Sequence, residues 1–442
     1  MGFSMPDLMI RNATVVTCDG QGTVIREGGV AVENGHITHV GSAAEIEAIA
    51  ANARQVVDGS GQILMPGLIN THCHAGDSLF RGLVEDLPLE PWLQNVWKAE
   101  GAILNRETTY LGSVLGFAEL LLCGVTTVMD MFWYPDETVR AARTLGLRVS
   151  TGGIFFDPPG VTGHDLKGRV AEAERFFEEF GDAEDVFPAI LPHGAYTVSP
   201  ENLKVAKEIA ERQGALFCTH AAETCAEQAD VASRYGRSVI RHLDHLGLLD
   251  ERTVLAHCVH LDDEEISILA RSGASVAHNP MSNLKLASGF ARVPDMLSAG
   301  INVTLGTDGA ISGNDLDMWM AIRLAATIHK AFTGRADAVS TGEALAMATS
   351  AGAKALGAAE RIGSLEPGKF ADMILVDCKR PHAVPIFDPV THLVYSTAKS
   401  DVLHVFVSGE QVVKDGVLTR HNVEDTIAAV ERLQPRIAAS IA

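Results

Sequence analysis

No Cys-x-x-Cys pair occurs in this chain, and its seven cysteines, Cys18, Cys73, Cys123, Cys218, Cys225, Cys258 and Cys378, are scattered. Their spacing excludes a zinc ribbon and a dithiol redox motif, and an odd, dispersed set fits reduced thiols in the cytoplasm. Basic residues are scarce: 35 Lys and Arg against 56 Asp and Glu leave a net charge of −21. Such a field repels nucleic acid and anionic membrane, so neither is expected as a partner. No uninterrupted apolar run approaches membrane-spanning length, and Met1 to Ile10 lacks the basic start and apolar core of a signal peptide. No Gly-x-Gly-x-x-Gly opens a helix after an early strand, which argues against a doubly wound dinucleotide fold.

What is present is length with a changing texture. A chain of 442 residues exceeds one ordinary core, so a large domain and a smaller one are expected. From Leu8 to Gly41, short β-branched runs are cut by turns, and Asn34-Gly35 between two of them signals a tight hairpin. Apolar strands then alternate with helical stretches for some 300 residues, with strands expected at 63–70, 125–131, 148–155, 186–191, 216–220, 253–257, 274–278 and 302–306. Eight such repeats predict an α/β fold, a (β/α)8 TIM-like barrel. After Gly363 the texture is β again, with strands expected at 373–376, 392–395 and 402–407 and a closing amphipathic helix from Asp425. The expected division is therefore 1–62 and 363–442 as the two halves of a small β-sandwich, and 63–362 as the barrel, because domain ends often lie close together.

The most informative stretch runs Pro66-Gly67-Leu68-Ile69-Asn70-Thr71-His72-Cys73-His74-Ala75-Gly76-Asp77. On an extended segment His72 and His74 project to one side and reach one ion. Barrels of this kind carry their active groups at the carboxyl ends of strands. Six of the eight expected strands end at or near a histidine or acid: His72/His74, His193, His220, His257, His278 and Asp308. Imidazole nitrogen and carboxylate oxygen suit zinc or ferrous iron, so His72, His74, His220 and Asp308 are the expected ligands. The stretch Ile190 to Thr197 offers no lysine for a second ion, so one divalent metal is expected. Glu223, three residues past His220, is placed to move a proton between bound water and a substrate nitrogen. His257 is placed to polarise the same water. His278 reads as a supporting group, with Asn283 on the pocket wall.

Taken together, these motifs resemble the amidohydrolase superfamily. They are Met65 to His74, Pro192-His193-Gly194-Ala195-Tyr196-Thr197-Val198-Ser199-Pro200, Ala256-His257-Cys258-Val259-His260, His278 to Ala287, Gly306-Thr307-Asp308-Gly309 and the closing Gly363 to Asp372. Within it, the chain is similar to the branch of 5′-methylthioadenosine/S-adenosylhomocysteine deaminases and related triazine hydrolases. The resemblance implies a small-molecule substrate, a homo-oligomer (dimer or tetramer), and hydrolytic deamination of an adenosine-type ring. The same machinery with other leaving groups or rings would give an s-triazine chlorohydrolase or aminohydrolase, or a pterin or guanine deaminase. A catalytically dead, metal-stabilised binding barrel would lack a ligand or Glu223, and none is missing. By the resemblance, Glu100 falls where ribose hydroxyls are held and His193 at the base or reacting centre. Trp92 and Trp97 fall at the entrance. Two departures stand out: Gly152 where some members carry an arginine for the homocysteine carboxylate, and Gly194-Ala195 where a proline usually precedes the tyrosine. The first favours smaller 5′-modified adenosines over S-adenosylhomocysteine.

Overall fold

The computed structural model describes residues 6–50 and 53–442, so the first five positions of the stretch read for a leader lie outside the described residues. Its strands are β1 (Leu8–Val16), β2 (Val24–Glu33), β3 (His36–Ser42), β4 (Gln55–Asp58), β5 (Gln62–Pro66), β6 (Leu68–Cys73), β7 (Val125–Asp130), β8 (Arg148–Phe155), β9 (Val186–Pro192), β10 (Leu216–Ala221), β11 (Thr253–His257), β12 (Ser275–His278), β13 (Asn302–Leu305), β14 (Met373–Asp377), β15 (Val402–Val407), β16 (Glu410–Lys414) and β17 (Val417–Leu418). Strands β6 to β13 pair in sequence order, each parallel to the next. The seam between β13 and β6 is joined by Asp308 N–H donating to the His72 carbonyl at 3.0 Å and by Thr71 Oγ1 donating to the Leu305 carbonyl at 2.9 Å. With helices between the strands, this is a (β/α)8 barrel.

The helices between strands start and stop where side chains dictate. Pro200–Gln213 opens on a proline, whose missing N–H costs nothing in the first turn, and ends at Gly214 in the left-handed region at φ 62°. Asp263–Ser272 is closed at its start by a reciprocal box in which Asp262 and Glu265 take each other's backbone N–H groups.

The two chain ends meet in one nine-stranded sheet, in which β5 lies between β1 and β14. The sheet is bulged along β1 and covers a core of its own that includes Leu8, Val15, Ile37, Leu64, Leu375 and Phe406. The Asn34-Gly35 hairpin forms, both residues at positive φ (51° and 77°), as a type I′ turn requires. Arg148, at the start of β8, ties barrel to sheet. Its buried guanidinium donates through Nε to Asp372 Oδ2 at 2.7 Å, and Asp372 Oδ1 accepts the Ser408 N–H at 2.7 Å.

Two expected strands differ from the structure. The run 63–70 is two strands: β5 belongs to the nine-stranded sheet and β6 begins the barrel. Pro66 has no N–H to continue a ladder, and at Gly67 a Cβ would stand 2.2 Å from the Thr126 side chain, so the chain crosses between layers there. Residues 392–395 lie in a helix, Pro389–Tyr395, because Asp388 caps the Thr391 N–H and Pro389 takes the first turn. That start signal overrides the β-branched content.

Candidate active site

All the expected strand-end groups except His278 come together at one rim. His72 leaves β6, His220 ends β10 and His257 ends β11, and one ligand nitrogen of each lies within 4.8 Å of the others. His74 Nε2 stands 3.2 Å from Asp308 Oδ1 and 3.3 Å from His220 Nε2, and His72 Nε2 stands 3.7 Å from the same Asp308 oxygen. The far sides of the rings fix which nitrogen faces inward. His74 Nδ1 donates to the Met131 carbonyl at 2.6 Å and His220 Nδ1 to the His193 carbonyl at 2.5 Å, so in each neutral ring Nε2 carries the lone pair. Burial pushes His72 and His220 well below the usual imidazole range, which keeps them neutral. Both ring nitrogens of His72 are buried without a hydrogen-bond partner. An imidazole left so is costly unless something else takes its lone pair, and a cation does. Against the effect of burial, the Asp308 carboxylate raises His74 to about 10, so its Nε2 would give up a proton to a bound cation; three imidazole nitrogens and one carboxylate are then a donor set that fits a divalent metal.

The proton-handling groups sit beside this cluster. Glu223 Oε2 lies 3.8 Å from His257 Nε2, and His257 Nδ1 pairs with Asn283 Oδ1 at 2.9 Å. Burial raises the Glu223 carboxyl above its ordinary range. Its backbone N–H is held by Glu227 Oε2 at 2.6 Å, and burial raises Glu227 to about 7. Asp308 Oδ2 accepts Ser282 Oγ at 2.6 Å. Four non-glycine residues here hold positive φ: Ala222 (54°), His257 (75°), Cys258 (46°) and Asp308 (61°). Backbone strain of this kind gathers where side chains must be aimed.

A cavity of about 670 Å³, solvent at its mouth included, joins these groups to Glu100. Its walls are largely apolar and aromatic, from Trp92, Trp97, Trp133, Ile154 and Leu286, and no lysine or arginine is among its described lining residues. His193, Trp97 and Glu100 line it, and burial lowers His193 to about 3, leaving it neutral.

The amidohydrolase family model matches residues 63–412, which span the barrel and most of the nine-stranded sheet's C-terminal strands. The chain belongs to the amidohydrolase family. It is 40% identical over 433 residues to a 5-methylthioadenosine/S-adenosylhomocysteine deaminase of Syntrophobacter fumaroxidans, covering 97% of this chain and 98% of that protein. It is 42% identical over 411 residues to a 5′-deoxyadenosine deaminase of Methanosarcina acetivorans, covering 92% of each. Its structure matches a zinc-bound adenosine deaminase from Xanthomonas campestris with a TM-score of 0.97 at 33% identity, covering 99% of this chain and all (100%) of that one. It also matches a zinc-bound atrazine chlorohydrolase from Arthrobacter aurescens with a TM-score of 0.90 at 26% identity, covering 97% and 100%. As an amidohydrolase the chain is an enzyme, a hydrolase of carbon–nitrogen bonds, and the family is metal-dependent. No helix among its described residues is long and apolar enough to cross a membrane.

In this amidohydrolase site Asn283 is buried behind His257, its Oδ1 on the His257 ring, and is not among the described cavity-lining residues. His278 also stands back, its Nε2 3.2 Å from His329 Nε2 on the helix Met318–Thr333. At Gly152 a Cβ would meet the Ala189 carbonyl oxygen at 1.9 Å, so no side chain fits there, and it is Ile154 of β8 that faces the cavity. At Gly194 a Cβ would come within 2.8 Å of the Tyr196 ring, which lines the cavity. Sequence reasoning missed Trp133, although its place three residues past β7 is a strand-end position. It also missed Asp77, an acid inside the motif already singled out.

Proposed function

We propose that this amidohydrolase deaminates a 5′-modified adenosine, with 5′-deoxyadenosine and 5′-methylthioadenosine ahead of S-adenosylhomocysteine, and that His72, His74, His220 and Asp308 hold one zinc ion. The observation that carries the reading is the single cavity that joins the histidine and aspartate cluster and Glu223 to Glu100 across aromatic walls. Relatives at about 40% identity over nearly the full chain carry deaminase names of this substrate class. The absence of a cationic residue from the described lining supports the order of substrates, since a homocysteine carboxylate would find no partner.

When bound, the metal supplies Lewis acidity that lowers the pKa of water at the cluster toward neutrality. His257, its Nδ1 fixed on Asn283, keeps Nε2 for the attacking water, and Asp308 would help to orient it. Glu223 takes the water's proton and delivers it to the ring nitrogen beside the amine-bearing carbon, and burial, by raising its carboxyl above the ordinary range, strengthens it as the acceptor. Trp97 and His193 wall the ring, and Glu100 holds the ribose edge. The proton of the newly added hydroxyl then passes to the amine through Glu223, the C–N bond breaks, and ammonia leaves as the ring carbonyl forms.

The test is ammonia release by zinc-reconstituted enzyme from 5′-deoxyadenosine, 5′-methylthioadenosine, adenosine, S-adenosylhomocysteine, guanine, a pterin and a chloro-triazine. Turnover confined to the non-nucleoside rings sinks the adenosine reading. We also infer a catalytic unit of residues 63–362, a cytoplasmic setting, which the seven unpaired cysteines support, and a homo-oligomer, which sizing chromatography checks.

A further inference from the structure

Asp77 is the one acid lining the cavity that the mechanism does not use. It lies in the short 3-10 turn Ala75–Phe80 that leaves β6 directly after His74, and its N–H donates to the His74 carbonyl at 3.0 Å, so its backbone is fixed relative to the cluster. The side chain is 5% exposed, and Oδ1 is buried with no hydrogen-bond partner. Its other oxygen packs toward Gly309, where a Cβ would come to 3.3 Å of Oδ2. On the helix Leu89–Ile103, Glu100 lies within hydrogen-bonding reach of Asp77, and its Oε2 is already taken by Trp133 Nε1 at 3.0 Å. Asp77 and Glu100, one from each element, therefore line the same cavity side by side, with no lysine or arginine in its described lining.

We propose that Asp77 is a specificity-determining substrate contact that, with Glu100, forms a two-carboxyl subsite for a pair of hydroxyls on adjacent carbons. The inference rests on the nucleoside reading above and deepens it, because the pair is then the 2′,3′-diol of a ribose. Two neighbouring acceptors held by different elements match two donors on neighbouring atoms. Hydroxyls also accept, so they tolerate a proton resting between the acids, which an ammonium group does not.

The experiment compares adenosine, 2′-deoxyadenosine and 3′-deoxyadenosine as substrates of the full-length, metal-loaded enzyme and of Asp77→Asn and Asp77→Leu, with metal content measured alongside. The parent should favour the ribonucleoside over both deoxy forms. Asp77→Asn should lower kcat/KM for adenosine about 10- to 100-fold, chiefly through KM, as expected for one charge-assisted hydrogen bond. It should leave at least one deoxy substrate nearly unchanged, so that the preference collapses. A preference that survives both substitutions in metal-replete protein overturns the proposal, and so does a parent that does not discriminate, whatever the variants do. A parent that turns over no adenosine derivative but deaminates another ring overturns the nucleoside reading itself, and that result is visible without any variant.

Discussion

Replacing Glu223 by glutamine separates proton transfer from every other contribution the site makes. The side chain keeps its length and shape, and Glu223 is in neither group able to hold a metal, that of His72, His220 and His257 or that of His72, His74 and Asp308, so metal content should stay at the parent's level. Its backbone stays anchored, because the Glu223 N–H is bound by Glu227 Oε2. What is lost is a buried carboxyl able to lose and regain a proton 3.8 Å from His257 Nε2. Positioned acid–base groups contribute about 10²- to 10⁴-fold, equivalent to roughly 3–5 kcal/mol of barrier. That range is the expected fall in kcat, with KM changed only a few-fold, since the amide keeps the cavity's shape. Ammonia release under steady-state conditions reads the rate, and elemental analysis reads the metal. In Glu223→Ala, added formate should restore part of the rate, because a diffusible carboxylate enters the space left behind. A kcat within tenfold of the parent in metal-replete Glu223→Gln would remove Glu223 from the mechanism.

Two further outcomes concern stability. Asp372→Ala leaves the Arg148 guanidinium buried beside no acid and should cost about 3–5 kcal/mol in urea unfolding, whereas Arg148→Met with Asp372→Leu should recover most of it; a loss below about 1 kcal/mol refutes the account. His329 is lowered to about 4 by burial, and burial also lowers His278 beside it. Because the folded value lies below the unfolded value of about 6.5, the unfolded chain binds more protons between them. Stability is full above that window and should fall as pH drops through it, by roughly 3 kcal/mol for His329 alone. The slope of urea midpoint against pH should flatten in His329→Asn, and identical slopes in parent and variant would exclude the pair as a cause.

The barrel was legible because its signals are local. Each of β7 to β13 is a short apolar run, and the groups that matter follow the runs directly, as His220 follows Thr219 and Asp308 follows Thr307. What escaped depends on partners distant in the chain. Pro66-Gly67 reads as part of one strand until Asp372 and Thr126 are seen to claim its two sides. Asn283 looks like a wall residue until His257, 26 positions earlier, takes its amide oxygen. Asp77 was hidden by its surroundings: an acid between glycine and serine reads as an ordinary turn, and only the fold brings it to Glu100 and leaves one oxygen without a donor. Helix 389–395 was misread because β-branched content was weighed above the Asp388-Pro389 start.

The pairing of β5 with both β1 and β14 has a consequence for how the molecule is made. On the ribosome, residues 62–66 emerge early and find β1 at once, but their other edge has no partner until residues 373–377 have been synthesised, some 300 positions later. Throughout that interval the strand leading into the metal-binding histidines carries an open row of backbone donors and acceptors, the kind of edge on which chains stick to one another. Completion of an early-made strand therefore waits on one of the last, and Arg148 acquires Asp372 only then. Damage to the final strands would be felt first at the entry to β6, far along the chain from the lesion, and as failed assembly before failed chemistry.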